Sequence, residues 1–391
     1  MASNVVPFAP HHGAAVRAFN QRLAAGGGAW RFPETPEPDW LPPRPGARAY
    51  QEYFVLLQGE EVRGAYALKH QDASFGGAVK RVGSFYWPLS EGAVNPAYSL
   101  VALRLVQDAE RREPLLFGLG MGGSDTQIAR LLRVSRWRMV TVPLYFKVLN
   151  ARRFLQQVDY LRRSRPLAWL LDLAAWSGAG TLGMKVANVV LDRRRRGGPS
   201  LAVRVVERFG AWADEVWRTC APGYSFVGLR DSGVLNDTYP PGKQGFVRLQ
   251  VVDGDATLGW AVVQPAAPYQ GRHLGELRVA MIVDALARPE HAGAVVSAAV
   301  GFLETGDSRE RADLVLSNQS HPAWRRGLRR AGFLRGPSAF VFGASRQLGA
   351  LLTARDPGLA GVHLNRGDGD GPWGMVLAAG GNGGAPGRAT A

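Results

Sequence analysis

The sequence is poor in cysteine, in lysine and in established catalytic signatures. Cys220 is its single cysteine, so no internal disulfide can form and a thiolate metal site is disfavoured. No metal site is expected. H-E-x-x-H, a paired-cysteine motif, a G-x-S-x-G elbow and G-x-x-x-x-G-K-[ST] are all missing, which weighs against zinc hydrolase, serine hydrolase and P-loop chemistry. Long apolar runs are missing too. The most apolar segment, residues 166–191, carries Asp172 and Lys185, and its charge-free stretch 173–184 is too short to span a bilayer. Residues 1–15 lack a basic leader and are interrupted by Pro7, Pro10, His11 and His12, so no secretory signal is read and the expected location is cytoplasmic.

What is present is arginine. The formal net charge is +15, from 47 Lys plus Arg against 32 Asp plus Glu, and only five of the 47 are lysine. Such a surplus favours an anionic partner: nucleic acid, phospholipid head groups or a phosphorylated substrate. Solvated surface arginines are the plainer reading. The arginines on both sides of residues 166–191, Arg162-Arg163 and Arg193 to Arg196, suit either an interfacial anchor on anionic lipid at the inner membrane or a helix pair between domains.

The informative stretch is residues 274–333. Residues 274–284 are β-formers apolar on both phases, as a strand buried on both faces requires. Residues 292–302 read as a helix of small apolar side chains, residues 312–316 as a second strand, and a basic helix then runs from His321-Pro322 to Arg330. Ala331-Gly332-Phe333 ends it. Upstream, residues 246–252 and 257–263 flank Asp253-Gly254-Asp255 as a hairpin. The same succession occurs earlier: a hairpin at residues 52–57 and 62–68, a strand at 82–87, a helix at 97–111, a strand at 114–119, a helix at 124–134 and a last strand at 139–148. Two drifted copies of one unit explain this most simply. The expected division is residues 1–165, a helical linker 166–220 in which 201–220 form an amphipathic helix, residues 221–350, and a flexible tail 351–391.

Gly118-Leu-Gly120-Met-Gly-Gly123 matches G-x-G-x-x-G, but it follows the wrong strand for a dinucleotide fold and no acidic residue closes the next one. The glycines read better as a tight turn at the mouth of a cleft, with Ser124 capping the next helix. Asp368-Gly-Asp370-Gly lacks the later ligands of a calcium loop.

The element order with its Ala-Gly-Phe ending resembles the C-terminal half of GCN5-related N-acetyltransferases (GNAT), and the doubled pattern resembles tandem GNAT-like proteins, Fem-type peptidyltransferases and acyltransferases of polysaccharide clusters. The resemblance implies an α/β fold of two GNAT-like domains, each a mixed, mostly antiparallel sheet flanked by helices. It implies transfer of an acyl group from a thioester donor, acyl-CoA, acetyl-CoA or a carrier, to an amine or hydroxyl of a small-molecule or surface-polysaccharide precursor. Aminoacyl transfer from tRNA and a non-catalytic tandem binding a membrane or polysaccharide-assembly partner are the alternatives. By the same resemblance the cleft lies in the second copy, between Ile282 and Leu316. Glu276, Asp284, Asn318 and His321 are its candidate catalytic groups, and Met281, Ile282, Val283, Gly293 and Ala294 would contact the donor. Arg325, Arg326, Arg329 and Arg330 would hold an anionic carrier. Eight positions apart in a period-two strand, Glu276 and Asp284 are expected to share a face. The sequence departs from the family at its pyrophosphate loop, where Glu290-His-Ala-Gly293-Ala-Val295 keeps only Gly293, and at Leu328, which stands where a tyrosine is common. The first copy offers Glu91-Gly-Ala-Val-Asn-Pro96 there, so acetyl-CoA is expected to bind poorly.

Overall fold

A computed structural model describes residues 3–157, 201–269, 276–305 and 311–369. In chain order the first part holds β1 (Ser3–Pro7), α1 (Gly13–Ala25), β2 (Tyr50–Gln58), β3 (Glu61–Phe75), β4 (Ala78–Ser90), α2 (Val101–Arg112), β5 (Leu116–Leu119), α3 (Gln127–Val134), β6 (Arg138–Thr141), β7 (Leu144–Val148) and α4 (Ala151–Gln157). The second holds β8 (Leu201–Val206), α5 (Ala211–Cys220), β9 (Phe226–Gly228), α6 (Ser232–Thr238), β10 (Val247–Asp253), β11 (Ala256–Pro268), β12 (Arg278–Ala287) and α7 (Ala292–Glu304). It continues through β13 (Leu314–Asn318), α8 (Pro322–Arg330), β14 (Leu334–Gly336), β15 (Val341–Ala344), α9 (Arg346–Arg355) and β16 (Val362–His363).

These elements form two mixed sheets flanked by helices, the expected fold class. β2-β3-β4-β5 and β10-β11-β12-β13 repeat one pattern, two antiparallel pairings followed by a parallel one. Side-chain alternation in β2 explains the layering of the first sheet. Tyr53 and Val55 pack with Val16, Phe19 and Leu23 of α1, while Phe54 and Leu56 pack with Leu105 and Val106 of α2. β12 is covered on both faces, which is why its run is almost wholly apolar and buried.

The last strands are exchanged. β7, from the first copy, pairs antiparallel with β13 of the second sheet, and β15, from the second copy, pairs with β5 and β6 of the first. The expected single strand 139–148 is therefore two strands. Pro143, which cannot donate to a ladder, lies between them, where Val142 N–H bonds the Phe340 carbonyl at 2.8 Å as the chain changes sheets. The proline-rich loop after α1 ties the halves again: Trp40 is buried with Leu229 and Val234, and its indole N–H donates to the Thr238 carbonyl at 3.1 Å.

Three expectations are corrected. Residues 201–220 are not one helix, because alternating Leu201, Val203 and Val205 make β8, an edge strand on β10, before α5 begins. The helix after β5 is capped by Thr126, not Ser124; its Oγ1 accepts from Ala129 N–H at 3.4 Å. The folded chain also does not end at residue 350. α9 and β16 follow, and His363, Asn365 and Asp368 are among the most buried polar residues. The calls on residues 166–191 lie outside the described residues. Among the described residues, no helix is long and apolar enough to cross a membrane, and no group of three or more His, Cys, Asp or Glu is placed to hold a metal ion.

Candidate active site

Each half contains a pair of parallel strands that part, and the two openings have different fates. In the second half, β12 and β13 pair from Val279/Leu314 to Ile282/Ser317. An extra residue at Val283 then bulges β12, since Val262 faces Asp284 while Val263 faces Ile282. The space beyond is filled by the chain's own residues 362–368. Ser320 N–H donates to the Leu364 carbonyl at 3.0 Å, and Gln319 bridges Asn365. On the other wall, His363 Nε2 lies 2.9 Å from the Ala285 carbonyl, and Asn365 Nδ2 donates to Asp284 Oδ1 at 2.7 Å. The cleft expected between Ile282 and Leu316 is closed.

The filling segment is anchored by buried charge. Arg230 Nε lies 3.0 Å from Asp284 Oδ1, and another of its guanidinium nitrogens lies 2.8 Å from Asp368 Oδ2. The Tyr239 hydroxyl donates to Asp284 Oδ2 at 2.9 Å. Lys69 of β3 reaches across from the first sheet to the Asp368 carbonyl at 3.0 Å. Burial pushes the Asp284 carboxyl up and the Arg230 guanidinium opposes it. Gly367 is required here, because a Cβ would lie 2.8 Å from Asp284 Oδ2 and against the Tyr239 hydroxyl. His363 stacks between Tyr224 (4.7 Å) and Trp324 (5.3 Å), Trp324 Nε1 donates to the Tyr224 hydroxyl at 2.9 Å, and that hydroxyl donates to the Ala287 carbonyl at 2.6 Å.

The candidate residues of this half are accordingly dispersed. Asp284, expected as a candidate base, is buried and engaged by Arg230, Tyr239 and Asn365. Glu276 sits in an exposed turn before β12, where its carbonyl accepts from Arg153 at 3.4 Å. The bulge at Val283 interrupts the alternation that would have put the two carboxylates on one face. Asn318 is buried opposite Leu144. His321 caps α8, its Nδ1 accepting from Ala323 N–H at 3.3 Å, and burial followed by Arg326 and Arg325 lowers its pKa to about 4. Met281, Ile282 and Val283 are buried in the sheet. Gly293, with Ala294 next to it in the first turn of α7, serves a helix contact: a Cβ on Gly327 of α8 would come 2.9 Å from its Cα. Arg326, Arg329 and Arg330 are exposed and Arg325 is half-buried. Cys220 is buried, which pushes its thiol up to about 11 and keeps it protonated.

His363 gives a pH prediction. Burial holds the folded-state pKa well below the ordinary 6.5, so below about pH 6.5 the unfolded chain binds a proton that the folded chain refuses. Stability is full above that pH and falls as the pH drops, by up to about 1.4 kcal/mol per pH unit from this group, with His321 adding a smaller, solvent-screened part. Urea unfolding at pH 7.0 and 5.5 should show the loss, and His363→Phe, which can stack in the same slot, should reduce it. Equal wild-type stability at both values would refute the assignment.

In the first half the opening is unfilled by any such segment among the described residues. β4 and β5 pair only at Gly83/Leu116 and Ser84/Phe117. β5 then follows β15, while β4 stays on β3 through a bulge that sets Trp87 and Pro88 against Tyr66. Trp87 has φ +53°, a left-handed conformation that is strained for a bulky residue, and its indole nitrogen is buried without a partner. Tyr86 to Ser90 are half-exposed, unlike their counterparts in β12. The opposite wall is the glycine turn, with φ of +103°, +72° and +126° at Gly120, Gly122 and Gly123, which only glycine adopts freely. Thr126 Oγ1 donates to the Met121 carbonyl at 3.0 Å and secures this turn. Phe85 and Trp137 belong to one buried apolar cluster, against which Met121 packs. At its far end Glu91 is buried and neutralised, accepting from Arg22 Nε at 3.1 Å and Arg63 at 3.0 Å. The sequence carried a signal for this site: Pro88 at the end of a strand marks a bulge.

The fold is similar to that of several solved structures of low sequence identity. The chain is similar to a conserved protein of unknown function from Enterococcus faecalis (10% identity, 90% of this chain and 74% of that one, TM-score 0.48). It is also similar to a tandem GNAT protein from the clavulanic acid biosynthesis pathway (14% identity, 88% and 99%, TM-score 0.40) and to Saccharomyces cerevisiae N-myristoyltransferase with bound myristoyl-CoA and inhibitors (7% identity, 88% and 79%, TM-score 0.48). No family model and no curated protein matches the sequence.

Proposed function

We infer that the chain is an acyltransferase whose thioester donor, acyl-CoA foremost, lies in the gap between β4 and β5 of the first half. One observation carries the reading: of two equivalent strand partings, the second is occupied by residues 362–368 and the first keeps a half-exposed β4 wall facing a glycine turn. Beyond Ser84, β4 no longer pairs with β5, so a thioester carbonyl lying against that edge of β4 would be polarised by main-chain N–H donors there. An amine or hydroxyl of a small-molecule or glycan precursor would attack that carbonyl; the C–S bond breaks and the thiol leaves with the acceptor's proton. The apolar cluster of Phe85, Trp137 and Met121 suits an acyl chain better than the loop at Glu91 suits a pyrophosphate, because both cations at that carboxylate are already engaged. A longer acyl donor is therefore favoured over acetyl-CoA. The second half acts as a structural copy.

Hydrogen–deuterium exchange with and without acetyl-CoA, a long-chain acyl-CoA and bulk tRNA locates the donor. Long-chain acyl-CoA is expected to slow exchange in residues 85–90 and 119–126 and to leave 279–287 unchanged. Protection at 279–287 with faster exchange at 362–368 would move the donor to the second half. No protection by any of the three would favour a non-catalytic tandem.

A further inference from the structure

The second half reaches the first at the point where β4 and β5 part. Lys69 of β3 lies opposite Ser84 of β4, and Ser84, opposite Phe117, is the last residue of β4 that pairs with β5. Partners across a ladder share a face, and alternate residues along a strand return to it. Lys69, Ser84, Phe117 and Leu119 therefore look to one side of the sheet. Phe85 and Leu116 look to the other, where they pack with Leu105 and Val106 of α2.

Residues 368 and 369 lie against the first of these sides. Lys69 Nζ donates to the Asp368 carbonyl at 3.0 Å and to the Gly369 carbonyl at 3.4 Å, while a Cβ on Gly369 would stand 3.4 Å from Leu119 Cδ2 and from Phe340 Cζ. This backbone thus touches the strand on each flank of β4 and crosses β4 where the parting begins. Little water reaches the crossing: Lys69 is 4% exposed, Ser84 3% and Leu119 6%. The Trp40 ring, 5.4 Å from Lys69 Nζ, covers the ammonium as well. Farther along β4, Tyr86 to Ser90 stay half-exposed. The crossing is fixed from the second half, because Arg230 holds the Asp368 carboxylate at 2.8 Å.

We propose that the 368–369 backbone is the back wall of the first-half gap and that Lys69 is its positioning residue. A thioester in the gap is then shielded on one face, and the acceptor approaches along the half-exposed end of β4. The inference rests on the acyltransferase reading. Its chemical content is the exclusion of water. With no acceptor present, water can attack the thioester carbonyl: a C–O bond forms, the C–S bond breaks, one water proton goes to the leaving thiolate and the other leaves as the carboxylic acid ionises. A wall fixed by hydrogen bonds suppresses this loss without touching the reacting atoms. Lysine suits the task, because its ammonium is a compact charge with three donors, enough for two carbonyls at once.

Thiol release from a long-chain acyl-CoA, with no acceptor present, tests this in the full chain. Wild type is expected to bind the donor and to release thiol slowly. Lys69→Met keeps the apolar stem and cannot donate, and at saturating donor it should release thiol roughly tenfold faster. Asp368→Asn, which loosens the same backbone from the second half, should do so too, and it decides alone if Lys69→Met does not fold. A merely structural weakening would lower release together with binding, so release that is unchanged or lower in both variants overturns the wall. A second readout needs no donor: hydrogen–deuterium exchange in Lys69→Met should quicken at residues 85–90 and 119–126 and stay as in wild type at 279–287. Unchanged exchange at the first two segments would also overturn the inference. Failure of wild type to bind any long-chain acyl-CoA, with exchange quickened as expected, would instead sink the acyltransferase reading and leave the wall standing.

Discussion

Arg230→Met is expected to lower the stability of the fold by about 3–5 kcal/mol, the usual cost of removing one partner from a buried charge cluster. Arg230 is 3% exposed and is the cation shared by Asp284 and Asp368, so the variant keeps two buried carboxylates and no counter-ion between them. The direction with pH follows. Asp284 already has a raised pKa from burial, and losing its cation raises it further. The folded variant then holds protons that the unfolded chain releases, so its deficit relative to wild type grows as pH rises from about 4 toward neutrality and shrinks in acid. Urea unfolding of both proteins at pH 5 and pH 7 measures this. A deficit under about 1 kcal/mol, or one independent of pH, would mean that water reaches the cluster. Arg230→Met/Asp284→Asn/Asp368→Asn should recover part of the loss, because neutral amides cost less to bury than unpaired charge.

A larger effect is expected from truncation after Gly336. The shortened chain keeps every strand of the first copy, yet it should fail to fold in that half, because β15 is the strand that links β5 to β6. Without it β5 has an open edge, β6 has no neighbour, and Phe117 loses its contact with Phe342. The reciprocal fragment, residues 201–391, lacks β7 and leaves β13 and β14 unjoined. Circular dichroism and thermal melting of each fragment should show no cooperative transition, whereas residues 1–200 and 201–391 produced together should assemble into one folded complex. A cooperative melt of the chain ending at Gly336 would refute the interdependence.

The repeated order of strands and helices was legible because it lies in local patterning. Alternation at residues 52–57 and 62–68, the doubly apolar run of β12 and the stop at Gly332 each report on their own neighbourhood. Partner choice was not legible. Nothing in residues 144–148 distinguishes β13 from β5 as a neighbour, since either is an apolar strand needing an antiparallel partner. The surroundings of the candidate residues were hidden for a similar reason. Asp284 looked like a base because a lone carboxylate in an apolar strand has two explanations, and the partner that decides between them, Arg230, is 54 residues away. Residues 362–368 were read as tail because their glycines and aspartates resemble a solvated turn. Only the closeness of Gly367 to Tyr239 and Asp284 shows why those glycines are needed.

The exchange of β7 and β15 also sets an order of events during synthesis. The Leu116 to Ser345 hydrogen bond joins residues 229 apart in sequence, so the first sheet cannot close until the chain has left the ribosome as far as Ser345. Until then β5 presents an unpaired apolar edge of the kind that recruits other chains. Contacts this distant make for slow folding, and the protein's yield in a cell should depend on how well that waiting edge is shielded.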